Sequence, residues 1–250
     1  MKAIILAAGE GKRLRPLTND KPKSLVEIWG QSLLTRQLAQ LAKFGISDIT
    51  VVTGYCKEKI EQLGVSCVFN EEFDSTNMVF SLSKVLPTLL GSKAKHTLIL
   101  YGDIAYSDKH LKVLIESPST APSVILGNTD WFELWSQRLD DPLTDAETFL
   151  FDDNLKLQDI GKVPDSLEQV QAQYMGMIRF NTAFLEALLR TYLAHANTMV
   201  SRNMYMTDLI QQVVDSHYVD VELVCGSWIE IDTIEDYALY ANKLATDFGL

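Results

Sequence analysis

The sequence predicts an α/β fold: a mixed, mostly parallel central sheet with helices on both faces. Two observations carry that expectation. Short apolar or β-branched runs alternate with segments of helical periodicity, and strands separated by helix-length stretches pair in parallel. The first such run, Ala3 to Ala8, is cut by Gly9-Glu10-Gly11, the punctuation of a buried strand that ends in a tight loop.

The elements follow in order. Gln31 to Phe44 carries Leu33, Leu34, Leu38, Leu41 and Ala42 at helical spacing, with Gly45 as a C-terminal stop. Asp48 to Thr53 is β-branched, and Val65 to Phe69 reads as another strand. Ser75 to Leu90 is helical with Ser75 as its cap, and Pro87 must end or kink it. Thr97 to Tyr101 and Ser123 to Gly127 are further apolar strands. Two short strands, Glu147 to Phe151 and Leu155 to Ile160, are joined by a turn at Asp152-Asp153-Asn154. Trp228 to Asp232 alternates like a strand, and Ile234 to Ala245 forms the last helix. In sheets of this kind ligands bind beyond the carboxyl ends of the strands. Ala8, Asn70 and Asp103 each follow a strand, so they share one rim.

The chain has 250 residues, 47% of them hydrophobic and 22% charged, which fits one globular domain with a sizeable core. No apolar segment approaches the roughly 20 residues of a membrane span, and the N-terminal apolar run is too short for a signal peptide. Cys56, Cys67 and Cys225 have no metal-type spacing, consistent with reduced thiols in a cytoplasmic protein. A net charge of −11 argues against nucleic acid or an anionic membrane as partner. His96, His110, His195 and His217 are scattered and receive no chemical role.

Against that acidic background, Lys12, Arg13, Arg15, Lys21 and Lys23 crowd into the residues after Gly9-Glu10-Gly11. Glycines after a strand let the backbone approach a ligand and aim N–H groups at it. Cations around those groups suit a polyanion such as a nucleoside triphosphate. The spacing matches neither the dinucleotide fingerprint G-x-G-x-x-G nor the P-loop G-x-x-x-x-G-K-[ST], which disfavours a redox enzyme and a Walker-type ATPase.

The run Leu6 to Leu25, L-A-A-G-x-G-x-R-L-x-P-L-T-x-x-x-P-K-S-L, resembles without a gap the signature of the nucleotidyltransferases that activate sugar 1-phosphates and related phosphate esters. The resemblance implies a Rossmann-like nucleotidyltransferase fold with a small acceptor-binding subdomain. It implies a mainly nucleotide-binding half, 1–127, and a half, 128–250, that binds the acceptor. In that family the glycine-rich loop, here Leu6, Ala7, Ala8, Gly9, Gly11 and Lys12, wraps the nucleotide. Arg13 and Lys23 match the catalytic cations that neutralise phosphate charge.

Acidic residues complete the pattern. Tyr101-Gly102-Asp103 follows a central strand, and Asp232-Thr233-Ile234-Glu235-Asp236-Tyr237 stands near the end. Mg²⁺ favours oxygen ligands, and two carboxylates with substrate phosphates supply them. The resemblance assigns the metal to Asp103 and Asp232 and places Gly102 at the nucleotide, while Asp236 caps or salt-bridges the last helix. Asn70 and Asn77 are candidates to read the base or ribose, with helix capping the competing role.

Residues 128–176 are where acceptor choice should lie. Trp131 and Trp135 are spaced i, i+4, and Tyr174 lies in Gln171 to Gly176. Such aromatics either pack a subdomain, the preferred role of Trp135, or hold an ammonium group by cation–π attraction. The block from Trp131 to Phe149 and Gln173-Tyr174-Met175-Gly176 look closest to the phosphocholine cytidylyltransferase branch and its relatives acting on phosphonates and phospho-amino compounds. That resemblance implies an aromatic wall of Trp131 and Tyr174, a counter-charge from Glu168 or Asp130, and an acceptor-phosphate contact from Lys162 in Gly161-Lys162-Val163-Pro164. The implied reaction is in-line attack of the acceptor phosphate on the α-phosphorus of CTP, with Mg²⁺ as cofactor and a monomer or homodimer as the working form. Two other readings stay open: a sugar-1-phosphate uridylyl- or thymidylyltransferase, and a non-catalytic nucleotide sensor.

Overall fold

The computed structural model describes residues 1–250. Its first segment is β1 (Lys2–Ala7), followed by a loop and a two-stranded ribbon, β2 (Glu27–Ile28) and β3 (Gln31–Ser32). Next come α1 (Leu33–Lys43), β4 (Asp48–Thr53), α2 (Lys57–Glu61) and β5 (Ser66–Phe69). The Ser32 hydroxyl caps α1 by accepting from the Thr35 amide at 3.2 Å, so this helix starts two residues later than its apolar spacing suggests. The long helix expected from Ser75 is two short ones, α3 (Met78–Ser83) and α4 (Leu86–Leu89), with Pro87 in the first turn of the second. Its cap is Asn77 rather than Ser75, because the Asn77 carboxamide oxygen accepts from Met78 N at 2.8 Å.

The chain continues through β6 (His96–Tyr101), β7 (Ile104–Tyr106), α5 (Asp108–Glu116), β8 (Ser123–Asn128) and α6 (Trp131–Ser136). The expected hairpin is β9 (Phe149–Phe151) with β10 (Leu157–Ile160), paired antiparallel. Then follow β11 (Gln173–Asn181), α7 (Thr182–His195), α8 (Met199–Arg202), α9 (Met206–Val214), β12 (Val219–Val224), β13 (Trp228–Glu230) and α10 (Ile234–Ala241).

Seven strands form one sheet in the order β12-β8-β11-β6-β1-β4-β5. β11 alone runs antiparallel to its neighbours, β6 and β8, and the other pairs are parallel. β11 occupies the middle of the sheet, although the sequence reading treated its first residues only as an aromatic run. Its pattern is buried on both faces, and such a run lacks the alternation that marks a half-exposed strand.

Side-chain alternation sorts the strand residues into two cores. Ile4, Val52, Ile99, Ile125 and Ile178 face a cluster with Val79, Leu189 and Ile210. Ile5, Val51, Leu98, Val124 and Met177 face the other, with Leu34, Leu41 and Leu111. Helices therefore cover both faces, as period-2 side chains in a doubly buried sheet require. A smaller core ties Leu14, Val26 and Ile28 of the N-terminal segment to Ile229, Ile231 and Tyr240. That contact joins the two ends of the chain.

The strand order reverses at β1, which has β4 on one side and β6 on the other. Their carboxyl ends open a crevice there. The close approach depends on Gly102, whose amide donates to the Leu6 carbonyl at 2.9 Å. A Cβ at this position would lie 2.7 Å from that carbonyl oxygen and 3.2 Å from both Ala7 Cβ and Ser24 Cβ. Gly102→Ala is expected to lower unfolding stability by about 1–3 kcal/mol, the usual cost of overpacking, measured by urea denaturation.

Candidate active site

Two cavities open on this rim and meet. The first, about 170 Å³, is lined by Leu6 to Gly9, Lys23, Asn77, Tyr101, Gly102 and Asp103 among others. The second, about 270 Å³, is lined by residues that include Trp135, Asp145, Glu147, Tyr174, Glu230 and Asp232. Met78 and Tyr101 belong to both walls.

Lys23 stands at the junction. Its ammonium donates to Asp103 Oδ2 at 2.6 Å and to Asp232 Oδ1. Its side chain is 14% exposed. The N-terminal loop is built to bring it there. Gly11 takes φ +68, and a Cβ on it would meet Lys23 Cβ at 2.9 Å. The Thr18 hydroxyl donates to the Gly11 carbonyl at 2.8 Å, and the Lys23 amide donates to the Gly9 carbonyl at 3.3 Å. Glycine is the residue that adopts a left-handed backbone without strain and leaves room for the lysine.

The acids form a triad. Carboxylate oxygens of Asp103, Glu230 and Asp232 lie within 4.8 Å of one another. Glu230 escaped the sequence reading, yet it stands two residues from Asp232 in an alternating strand and so shares its face. Burial, then the charges of Asp232 and Asp103, push the Glu230 carboxyl well above its ordinary value. Burial works the same way on Asp232, but Lys23, Arg13 and Arg138 outweigh it and hold that carboxyl below its ordinary value. Burial would lower Lys23, and the attraction of Asp103, Asp232 and Glu230 instead raises it. The Asp103 Oδ1 atom is buried without a hydrogen-bond partner. An all-carboxylate set with one orphaned oxygen fits a hard divalent cation.

Arg13 lies on the rim, largely exposed and 3.7 Å from Asp232. Lys12 is further out, beside Glu10 at 3.4 Å. Among the nucleotide candidates, Gly11, Lys12 and Asn70 do not line the cavity, and Asn70 has another role. It is fully buried, donating to Thr76 Oγ1 at 3.1 Å and Ser81 Oγ at 2.9 Å and accepting from Glu72 N at 3.1 Å. It braces the turn that presents Thr76 and Asn77. Asn77 lines the first cavity while capping α3.

The acceptor set changes more. Tyr174 lines the second cavity, its ring edge-on to Tyr101 with centroids 5.7 Å apart. Trp131 does not: it is 4% exposed and its indole N–H donates to the Val170 carbonyl at 3.1 Å. Trp135, expected to be packing alone, both stacks on Trp228 with centroids 4.9 Å apart and forms part of the wall. One turn of α6 separates the two indoles, and the sequence cannot tell which of them faces inward. Lys162 is exposed and paired with Asp159. Glu168 is exposed on a short turn, and Asp130 is exposed before α6, so neither lines the cavity. Asp145 and Glu147 supply the acids there instead. Burial is the main cause that raises both carboxyls, opposed by Arg138 at Asp145 and by the Thr207 hydroxyl at Glu147.

Arg138 organises the floor. Its guanidinium is 3% exposed and donates to both carboxylate oxygens of Asp236, at 2.8 and 3.1 Å. It lies 4.0 Å from Asp232 Oδ2. Asp236 also accepts from the backbone amides of Asp232 and Thr233, each at 3.0 Å, so it caps α10 and forms a salt bridge at once.

A family model described as a MobA-like NTP transferase domain matches residues 3–142. The chain belongs to this family. A CTP:phosphoglutamine cytidylyltransferase of Campylobacter jejuni is 31% identical over 97% of this chain and 100% of its own length. A choline-phosphate cytidylyltransferase of Streptococcus pneumoniae is 44% identical over 37% of this chain and 42% of its own. A solved structure of CTP:phosphocholine cytidylyltransferase from Streptococcus pneumoniae superposes with a TM-score of 0.73 at 26% identity. It covers 96% of this chain and 97% of that one. The resemblance carried by Leu6 to Leu25 is thereby borne out, and with it the nucleotidyltransferase fold and the likeness to cytidylyltransferases.

The Arg138–Asp236 pair sets a pH response. Burial raises Asp236, but Arg138 and the two backbone amides outweigh it and hold the carboxyl below its ordinary value. A depressed carboxyl contributes stability above its unfolded value, about 3.9. That stability is lost as pH falls through the folded value. Asp236→Asn is expected to be less stable than the parent at neutral pH and to lose less on acidification below about pH 4, measured by thermal unfolding across pH.

Proposed function

We propose that this protein transfers CMP from CTP to a small phosphate or phosphonate acceptor bearing an amine, releasing pyrophosphate. The observation that carries this reading is the meeting of two cavities at Lys23, Asp103 and Asp232. One cavity takes the nucleotide, with residues 1–127 as its main source. The other takes the acceptor, with residues 128–250 as its main source. The reaction runs where they touch.

The chemistry follows from charge. An acceptor phosphate oxygen is ionised at neutral pH and needs no general base. Its attack on the α-phosphorus forms the new P–O bond as the bond to pyrophosphate breaks, and the barrier is largely repulsion between anions together with positioning. Asp103 and Asp232, with Glu230 beside them, would hold Mg²⁺, which when bound neutralises phosphate charge. Lys23 sits nearest the junction and meets charge on the α-phosphate. Arg13, exposed on a short 3₁₀ turn at the rim, is free to turn towards the departing pyrophosphate. Leu6 to Gly9 and Gly102 bring backbone to the nucleotide, and Asn77 offers polar groups at its edge.

The acceptor cavity combines Trp135, Tyr174 and Tyr205 with Asp145 and Glu147. Aromatic faces and carboxylates together favour a cation. Phosphocholine, in the name of one relative, carries a cationic nitrogen, and phosphoglutamine, in the name of the other, carries nitrogen too. This supports an amine-bearing head group over a hexose.

Two measurements test the reading. Pyrophosphate release with Mg²⁺ should appear with CTP and an amine-bearing phosphate or phosphonate, and fall by about 10²–10³ in Lys23→Ala, the usual loss for one preorganised donor. Near-parental turnover in that variant would sink the mechanism, and release only with a sugar phosphate would sink the acceptor assignment. Glu147→Gln should raise KM for the amine-bearing acceptor several-fold, with KM for CTP and kcat nearly unchanged. An equal rise for an acceptor without the amine would remove Glu147 from recognition.

A further inference from the structure

A third cavity, about 360 Å³, lies at the end of β7 that bears Tyr106 and Ser107, whereas Asp103 precedes the other end. It is lined by Arg36 and Lys43 of α1 and by Tyr106, Ser107 and Lys109 at the start of α5. In a chain with a net charge of −11, three cations on one cavity are a departure from the average surface.

Several of its polar groups are left without partners. Arg36 makes no ion pair and no hydrogen bond, its Nε is buried without a partner, and its guanidinium lies 5.6 Å from the centre of the Trp29 ring. Burial holds it below its ordinary value, as expected of a cation lacking a counter-charge. The Tyr106 hydroxyl and the Gln40 carboxamide oxygen are unpartnered too, on side chains only 1% and 6% exposed. Ser107 occupies the N-cap position of α5 but makes no side-chain capping bond, and its hydroxyl is likewise orphaned. The first amide groups of that helix are therefore not satisfied by their usual partner.

One acidic side chain lines the cavity, that of Asp108. It is already engaged, by Lys43 Nζ at 3.0 Å and by Gln40 Nε2 at 3.0 Å. Gly249 and Leu250 border the opening. Residues with an unpaired guanidinium, a free ammonium at position 109 and two unused hydroxyls line the same space as the start of a nine-residue helix. Each favours a compact multivalent anion.

We propose that this cavity is a second anion site, separate from the nucleotidyl-transfer centre, that takes the phosphate group of a small phosphorylated molecule. Arg36 and Lys109 supply the charge, the Ser107 and Tyr106 hydroxyls donate to phosphate oxygens, and the Gln40 oxygen accepts from a hydroxyl on the ligand. Ile104–Tyr106, the three residues of β7, lie between Asp103 and Ser107. Gln37 ties α1 to the same segment, donating to the carbonyls of Tyr101 at 2.8 Å and Ile104 at 3.1 Å. The site thus shares a strand and a helix with the catalytic rim while remaining outside it.

Titration calorimetry with inorganic phosphate tests this without relying on catalysis. The parent should bind phosphate saturably at this site, and Arg36→Ala/Lys109→Ala should weaken that binding by about tenfold or more, roughly the loss of one charge-assisted contact. Ser107→Ala, a milder change, should weaken it in the same direction. Lys23→Ala should keep it, which separates this site from the phosphate contacts of the active centre. Circular dichroism and pyrophosphate release should match the parent in the double variant. Parental phosphate binding by a folded double variant, loss of all binding in Lys23→Ala, or no saturable binding by the parent would each overturn the proposal.

Discussion

The interaction on which the rest depends is the ammonium of Lys23 held between Asp103 and Asp232. It joins three segments that are remote in sequence: the N-terminal loop, the end of β6, and the end of β13. Without it, three carboxylates would face one another in a partly buried space, which is strongly unfavourable. With it, they share one site and one of them, Glu230, is pushed towards its neutral form. Repulsion among the acids and attraction to the lysine are the same forces that would gather phosphates and a divalent cation. The site is organised for charge before any substrate arrives.

The fold serves this arrangement in two ways. The reversal of strand order at β1 opens the crevice, and the glycines at 11 and 102 let backbone and lysine come close where a Cβ would collide. The small core of Leu14, Ile28, Ile229 and Tyr240 then anchors the N-terminal loop to the C-terminal helix, so the loop that carries Lys23 and the segment that carries Glu230 and Asp232 hold their positions. Arg138 and Asp236 brace that junction from below. Both carboxylate oxygens of that buried pair are hydrogen-bonded, while Arg138 Nη1 has no hydrogen-bond partner and lies 3.8 Å from Asp145, so the pair is held chiefly from the acid's side.

On the proposed assignment, the two cavities differ in what builds them. The first cavity is lined by residues of the opening loop and the end of β6, many of them small, and by the segment from Phe73 to Ser81. The acceptor cavity is made of side chains from α6, the segment before β9, β11, α9 and β13. Side chains vary without disturbing the sheet, and backbone cannot. On that assignment, acceptor choice would rest on elements peripheral to the first cavity.

Much of the centre was legible in the sequence because its signals are local. A strand that ends in glycines and cations, and a glycine-aspartate after a strand, each state their chemistry within a few residues, and the order of strands and helices states the fold class. The alternation of Trp228 to Asp232 even held the signal for Glu230. What only the tertiary structure decided are contacts between distant segments. Trp135 rather than Trp131 faces the acceptor cavity, because the packing of α6 against β13 sets its rotation. Asn70 braces a turn because its side chain is closed in by Thr76 and Ser81. Glu147 replaces Glu168 as the nearby acid because β9 pairs with β10 beside α9. β11 enters the middle of the sheet antiparallel, which no periodicity announces when both faces are buried. Local chemistry is written in adjacent residues, whereas the facing of a side chain depends on what packs against it.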